Sequence, residues 1–207
     1  VSYVVNPEKI TRPIHRAATQ IPITKAVIYE MSVRDFSMQK EAGFTYPGKF
    51  KSLTESPDLQ EHTLGMDYVK QLGVTHIQLM PVYDFGSVDE NHPELVYNWG
   101  YDPMQYNLPD GSFATNPHDP YTRIVELREA IAAYHQADIS VIMDVVYNHV
   151  YDPQTYAFEK IVPGYFFRYD HNANLTNGTF CGNDVASERA MVRSYIKHSL
   201  KQWLTLY

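Results

Sequence analysis

"ISVIMDVVYNH" (139–149) decides the fold. It is almost uniformly apolar until its end, where Asp144, Asn148 and His149 collect. A strand with one wet face alternates, so this run is expected to be a parallel strand covered on both faces. Just upstream, "TRIVELREAIAAYHQ" (122–136) is amphipathic, with Ile124, Leu127, Ile131 and Tyr134 stepping by three and four along one side. The same pairing occurs earlier. "LGMDYVKQLG" (64–73) reads as a short helix with Leu64, Tyr68 and Leu72 on one face and Gly73 as its stop. It leads into "VTHIQLM" (74–80), a strand ended by Pro81. "AVIYEMSV" (26–33), β-branched and apolar, reads as a first, buried strand, and Asp184 or Ser187 is expected to cap a last helix running towards Leu206, with Val192, Ile196 and Trp203 inward.

Strand, helix, strand, helix, strand, helix, without tandem hairpin signals, describes an α/β chain with parallel strands. Its helix-to-strand links are tight, while its strand-to-helix links are long and rich in aromatic and polar residues. Parallel folds carry their working loops at the carboxyl ends of the strands. A barrel and a doubly wound sheet both obey that rule, so periodicity leaves the two open. Residues 1–24, with Pro7, Pro13 and Pro22 and no sustained periodicity, read as a linker or the tail of an upstream domain.

The 207 residues suffice for one sizeable core or for part of a larger domain. A net charge of −7 argues against nucleic acid and anionic membranes as partners. No apolar run approaches the ~20 residues that span a bilayer. No signal peptide opens the chain, so a cytoplasmic location is the expectation, with the true N-terminus expected upstream of Val1. Cys181 is the single cysteine, which excludes an internal disulfide framework and a cysteine metal cage.

Several chemistries lack their signatures. "YEMSVRDFS" after the first strand holds no glycine, against a dinucleotide or P-loop enzyme. Neither a zinc-binding H-E-x-x-H nor a G-x-S-x-G nucleophile elbow occurs. Arg189, Arg193, Lys197 and Lys201 read as a solvated helix face, and "NLT" and "NGT" (174–179) as plain loop residues.

"VYNWGYDP" (96–103) is different: too polar and too broken by Gly100 and Pro103 for a core strand, too aromatic for an ordinary loop. His149 by itself could be a packed, satisfied side chain. Together with Asp144, Asn148 and an aromatic loop it forms the parts of a pocket floor. Sugar rings suit such a pocket, because their C–H faces stack on Tyr or Trp while their hydroxyls need donors and acceptors.

"VIYEMSVRDFS", "YNWGYDP" and "DVVYNHVY" together resemble glycoside hydrolase family 13, the α-amylase superfamily. Within it the chain is most similar to type I pullulanases, enzymes that debranch α-1,6-linked glucans. "CGNDVASERAMVRSYI" (181–196) is similar to the pullulanase segment that leads into the fourth strand. The resemblance covers residues 25–207 and implies a partial (β/α)8 TIM barrel holding the first three βα units, with long loops after the strands. It implies that Tyr101 stacks on the sugar ring beside the scissile bond, that His149 hydrogen-bonds a hydroxyl of that ring, and that Asp144 holds the floor. Trp99 and Asn98 shape the loop or touch glucan. Asp102 and Asn148 support the site, and Asn183 and Asp184 line the cleft or cap the last helix. In some α-amylases the asparagine matching Asn148 binds calcium; no metal is carried over and no cofactor is required. The implied partner is α-glucan: pullulan, starch, glycogen and branched oligosaccharides. The remaining barrel, or self-association, would cover exposed edges.

Retaining glycosidases need two carboxylates roughly 5 Å apart. In this family they stand on strands four and five, with a third aspartate after strand seven, and no G-F-R-x-D string occurs in 1–207. No catalytic residue is therefore expected in this chain; all three acids are expected downstream of Tyr207, and the polypeptide alone is expected to be inactive. An α-amylase, isoamylase or branching enzyme shares "DVVYNH", whereas "YNWGYDP" favours pullulanase. A non-catalytic α-glucan-binding protein is the alternative from another class, ahead of an assembly module.

Overall fold

The computed structural model describes residues 4–10 and 20–207. Half of the segment read as a linker, 1–3 and 11–19 of 1–24, lies outside the described residues. In the described parts, Pro7–Lys9 and Ile23–Lys25 form 3-10 turns, and the Asn6 amide donates to the Tyr121 hydroxyl at 2.9 Å. In chain order the strands are β1 (Ile28–Met31), β2 (Asp58–Leu59), β3 (His62–Thr63), β4 (His76–Leu79), β5 (Tyr83–Phe85), β6 (Pro103–Pro109) and β7 (Ser140–Met143). The α-helices are α1 (Gly65–Gln71), α2 (Pro120–Gln136), α3 (Ala157–Ile161) and α4 (Ala190–Leu206). These elements fall into two compact units. Among the described residues no helix is long and apolar enough to cross a membrane.

The first unit comprises 1–82, 88–99 and 109–144. Its sheet is parallel in the order β1-β4-β7, with Ile28 opposite His76, Leu79 opposite Met31, and Leu79 also opposite Met143. Ile77 and Leu79 are fully buried, as are Leu53, Phe50 and Val69 from the connections. Helix α2 begins where Asp119 accepts the Tyr121 amide at 3.2 Å and Pro120 fixes the first turn. Its buried face carries Ile124, Leu127, Ile131 and Tyr134, as the spacing predicts.

Helix α1 departs from expectation. Its buried residues are Gly65, Met66 and Val69, while Tyr68 and Leu72 are exposed. The cause lies at its start. Gly65 has φ 62°, and an added Cβ there would lie 1.9 Å from the Glu55 carbonyl oxygen; the Met66 amide donates to that oxygen at 2.8 Å. This anchor sets the helix's rotation, and seven residues make too few turns for periodicity to resist it. Strand β7 also differs from its reading: it is four residues long and half-buried throughout, not covered on both faces. Among the described residues it stands at the end of the strand order, with a strand neighbour only on the β4 side. The long loops hold short strands of their own, the antiparallel β2–β3 hairpin and the β5–β6 pair, so the absence of hairpin signals misled.

The second unit comprises 83–87, 100–108 and 145–207. Its core is aromatic: Tyr106, Tyr156, Phe166 and Phe167 are buried with Val150, Val185 and Val192. Tyr156 and Phe166 have centroids 4.8 Å apart, and Tyr106 meets Tyr147 edge-on at 4.9 Å. Helix α4 presents Val192 and Trp203 inward, with Ile196 partly buried; the Trp203 indole donates to the Tyr106 carbonyl at 2.8 Å. Neither Asp184 nor Ser187 caps α4. Its N-cap is Arg189, without a side-chain bond to the helix. Arg189 leaves the solvated row as well, because its guanidinium donates to the Gly164 carbonyl at 2.6 Å and also reaches the Tyr165 carbonyl. An apolar cleft of about 700 Å³ opens in this unit, lined by Phe158, Ile161, Tyr165, Met191 and Tyr195 among others.

Candidate functional site

Gly100, at φ 87°, makes a turn that a side-chain-bearing residue rarely adopts. The three residues after it are held by their carbonyls, each from a different donor. Tyr101 O faces the His149 Nε2 at 2.8 Å, Asp102 O accepts the Gly86 amide at 2.9 Å, and Pro103 O accepts the Tyr151 amide at 2.8 Å. The Asp102 carboxylate also accepts the Ser87 hydroxyl at 3.1 Å. The loop is thereby fixed in backbone, and the half-buried Tyr101 ring is carried on a braced stem.

His149 is buried, with its Nδ1 2.9 Å from the Asn148 carboxamide. A carbonyl can only accept, so Nε2 carries a proton. The neutral ring then takes a bond from the Asn148 NH2 at Nδ1, whereas the imidazolium donates to the Asn148 oxygen; carboxamide orientation is assigned by such partners. The backbone around His149 is tied as closely. Asn148 O accepts the Val185 amide at 2.9 Å, and His149 O accepts the Tyr106 hydroxyl at 2.7 Å. Asn183, 1% exposed, brackets Val150: its Oδ1 accepts the Val150 amide at 3.0 Å and its Nδ2 donates to the Val150 carbonyl at 2.8 Å.

Asp184 closes the loop before it. Its carboxylate accepts the Thr176 hydroxyl at 2.6 Å and the Gly178 and Thr179 amides at 2.8 and 2.9 Å. Burial pushes its pKa up, but these bonds outweigh that push and hold it at about 2. Thr176 and Thr179, read from sequence as plain loop residues, are thus working donors. Asn183 and Asp184 brace loops; they do not cap a helix.

The other predicted residues belong to the first unit. The Asp144 amide donates to Leu79 O at 3.0 Å, continuing the β4–β7 ladder past its last residue pair. Asn98 is half-buried. Trp99 is 60% exposed, and its indole donates to the Tyr97 hydroxyl at 2.8 Å; that hydroxyl donates to Asp35 at 2.5 Å. The Arg34 guanidinium lies 4.9 Å from the Tyr97 ring centroid.

The family described as "Alpha amylase, catalytic domain" matches residues 44–173. The chain belongs to the α-amylase family. It is 50% identical over 184 residues to a pullulanase of Bacillus subtilis (strain 168), covering 88% of this chain and 26% of that relative. Against pullulanase 1, chloroplastic, of Arabidopsis thaliana, identity is 31% over 220 residues, covering 87% of this chain and 22% of the relative. The crystal structure of a pullulanase from Anoxybacillus sp. LM18-11 complexed with maltotetraose superposes with a TM-score of 0.94 at 50% identity, over 99% of this chain and 30% of that one. The chain therefore spans about a quarter of the length of these curated relatives. Its parallel strands and helices are part of an α/β barrel of this family, which decides between the two architectures that periodicity left open.

Within the second unit the structure brings together Tyr101, Asp102, Asn148, His149, Asn183 and Asp184. Asn98, Trp99 and Asp144 stand in the first. Sequence reading missed Gly86, Tyr106 and Tyr151, which bind or pack the same loop. Tyr151 had a signal: it lies two residues past His149, the spacing at which an extended segment points side chains the same way.

Proposed function

We propose that this chain is the substrate-gripping part of a pullulanase-type debranching enzyme, whose whole protein hydrolyses α-1,6-glucosidic bonds in pullulan, starch or glycogen with retention. One observation carries this reading: the Tyr101–Pro103 carbonyls are clamped by three donors from two segments, Gly86 on one and His149 and Tyr151 on the other, so that an aromatic ring and a buried histidine share one rigid frame. Rigidity matters because a stacking ring held in place loses little freedom when sugar arrives. Tyr101 supplies the face for the glucose ring beside the scissile bond. His149 reaches a hydroxyl of that ring by exchanging its bond to Asn148, whose side chain is exposed and loses only a solvent-accessible contact. Asp102, Asn183 and Asp184 hold the loops around Tyr101 and His149; in the first unit Trp99 offers a further exposed aromatic face, and Asp144 and Asn98 keep the supporting roles that the family resemblance implies for them. Calcium and other cofactors have no part in this reading.

Cleavage itself requires a nucleophile and a proton donor. In this reading both are supplied by the remainder of the barrel, which also covers apolar residues such as Ile161 and Met191, 72% and 69% exposed. Binding residues alone give little acceleration. The test is calorimetric titration of the chain with a branched maltooligosaccharide, alongside Tyr101→Ala and His149→Ala. Each variant is expected to lose about tenfold or more in affinity, as for one stacking or hydrogen-bonded contact. Undiminished binding by both would overturn the reading, and release of maltotriose from pullulan by the rigorously purified chain would overturn its division of labour.

A further inference from the structure

Gly86 and Tyr151 stand in a relation that the loop clamp alone does not require. An added Cβ at Gly86 would lie 2.2 Å from the Tyr151 Cγ and 2.4 and 2.5 Å from its two Cδ atoms. Near-equal distances to those three atoms put the flat face of the ring, not its edge, over the glycine. Gly86 does not have a positive φ, so the missing side chain serves close approach and not backbone freedom. Gly86 is buried, whereas Tyr151 remains 47% exposed. One face of the ring is covered by the Gly86 backbone, and close to half of the residue remains exposed.

The ring is also fixed at its base. The Tyr151 amide donates to Pro103 O at 2.8 Å, two residues from Tyr101, and Tyr151 follows His149 by two. The Gly86 amide donates to Asp102 O at 2.9 Å. The platform and its backing are therefore bonded to the same three-residue stem that carries Tyr101. An aromatic side chain with a backed face, a large exposed surface and a fixed stem is pre-organised for a flat apolar surface bordered by hydroxyls, and the C–H face of a pyranose is such a surface.

We infer that Tyr151 is a second stacking platform of this site and takes a glucosyl unit of an α-glucan other than the one held at Tyr101. The inference rests on the glucan reading of Tyr101 and His149 and extends it from one ring to a run of rings. Gly86 is its positioning residue, acting through the Tyr151 ring.

Titration of the chain with maltotriose and maltohexaose tests this. Tyr151→Ala is expected to weaken maltohexaose binding on the order of tenfold, the size of one aromatic contact. Tyr151→Phe should restore the affinity, because the ring face and not the hydroxyl makes the contact. Gly86→Ala should reproduce the loss with the tyrosine still present; amide NMR dispersion shows whether that variant is folded, and the Phe variant decides the matter independently of it. Wild-type affinity for maltohexaose in Tyr151→Ala would overturn the inference, and if Tyr101→Ala still weakens both sugars the glucan reading survives that failure. A wild-type chain that binds neither sugar would overturn both.

Discussion

Either side of Gly100, one short motif is held in two ways. Upstream, Trp99 and Tyr97 are exposed, and side chains tie them in sequence: indole to phenol, phenol to the Asp35 carboxylate. Downstream, Tyr101, Asp102 and Pro103 are tied by backbone carbonyls, each to a different donor. The first arrangement competes with water at every link, so each bond adds little net stability. The second places its bonds among buried neighbours, Gly86 and His149 among them, where a lost partner cannot be replaced by solvent. The difference predicts a steep gradient of mutational cost along a few residues, and experiments can attack it from either end.

The largest effect is expected behind the clamp. Asn183→Leu removes both partners of Val150, leaving a buried amide and a buried carbonyl unsatisfied, which should cost about 2–4 kcal/mol. Accelerated hydrogen exchange at the Val150 amide and a lower urea midpoint are the readouts. A loss under about 1 kcal/mol would mean that the downstream side is no stiffer than the upstream one. Gly86→Ala comes next, at about 1–3 kcal/mol, because the new methyl must displace the Tyr151 ring or the backbone. Its loss should fall if Tyr151 is shortened to Ala in the same chain, and a thermal melt of the double variant measures that coupling.

The sheet was legible because its physics is repetitive. Strand β4 and helix α2 each repeat an apolar period, and Ile124, Leu127, Ile131 and Tyr134 all face inward as their spacing requires. Strand β1, expected to be buried, has Met31 buried but Ile28 exposed, because its residues carry no alternation to set a buried face. In the second unit helix α4 shares the legibility of α2, with Val192 and Trp203 inward, but the segments before it have no such period. Strand β6 was read as loop, for its Pro103 and Asn107 carry no strand pattern and its one fully buried aromatic, Tyr106, gains its place from Trp203 and His149, both distant in sequence. The site was half legible. Tyr101 and His149 stand out as residue types at strand ends, but the bond between them uses the Tyr101 carbonyl, which every residue possesses. The roles of Thr176 and Thr179 were hidden for a related reason: a loop hydroxyl looks the same whether it faces water or, as here, the Asp184 carboxylate for Thr176 and the Asn183 carbonyl for Thr179.

Acid probes the brace beneath the clamp with a smaller effect. Asp184 has a folded pKa of about 2, below the usual ~3.9 of an unfolded aspartate. A depressed carboxylate pKa stabilises the fold fully above the unfolded value, and that contribution is lost as pH falls from about 4 towards 2. Exchange protection of the Gly178 and Thr179 amides should therefore fall over that window. Asp184→Asn should remove the pH dependence; protection that stays flat in the native chain would detach this loop from the clamp.

The smallest effect is expected upstream. Tyr97→Phe deletes the phenol that links Trp99 to Asp35, yet all three residues are exposed, so stability should change by no more than about 0.5 kcal/mol. The phenol's ionisation is the more sensitive readout. Its hydrogen bond to Asp35 is the main cause of a raised pKa, with burial and the carboxylate's charge adding to it, against smaller opposing effects from Trp99 and Arg34. A raised phenol pKa stabilises the fold below the unfolded value near 10, and that contribution disappears as pH climbs through the folded one. Difference absorbance of Tyr97, isolated by subtracting the Phe variant, should titrate above the ordinary phenol range and move back towards it in Asp35→Asn. If it does so while stability barely responds, the link exists but carries almost no load, as expected of bonds that water can replace. A stability loss comparable to that of Asn183→Leu would erase the contrast between the two sides of Gly100.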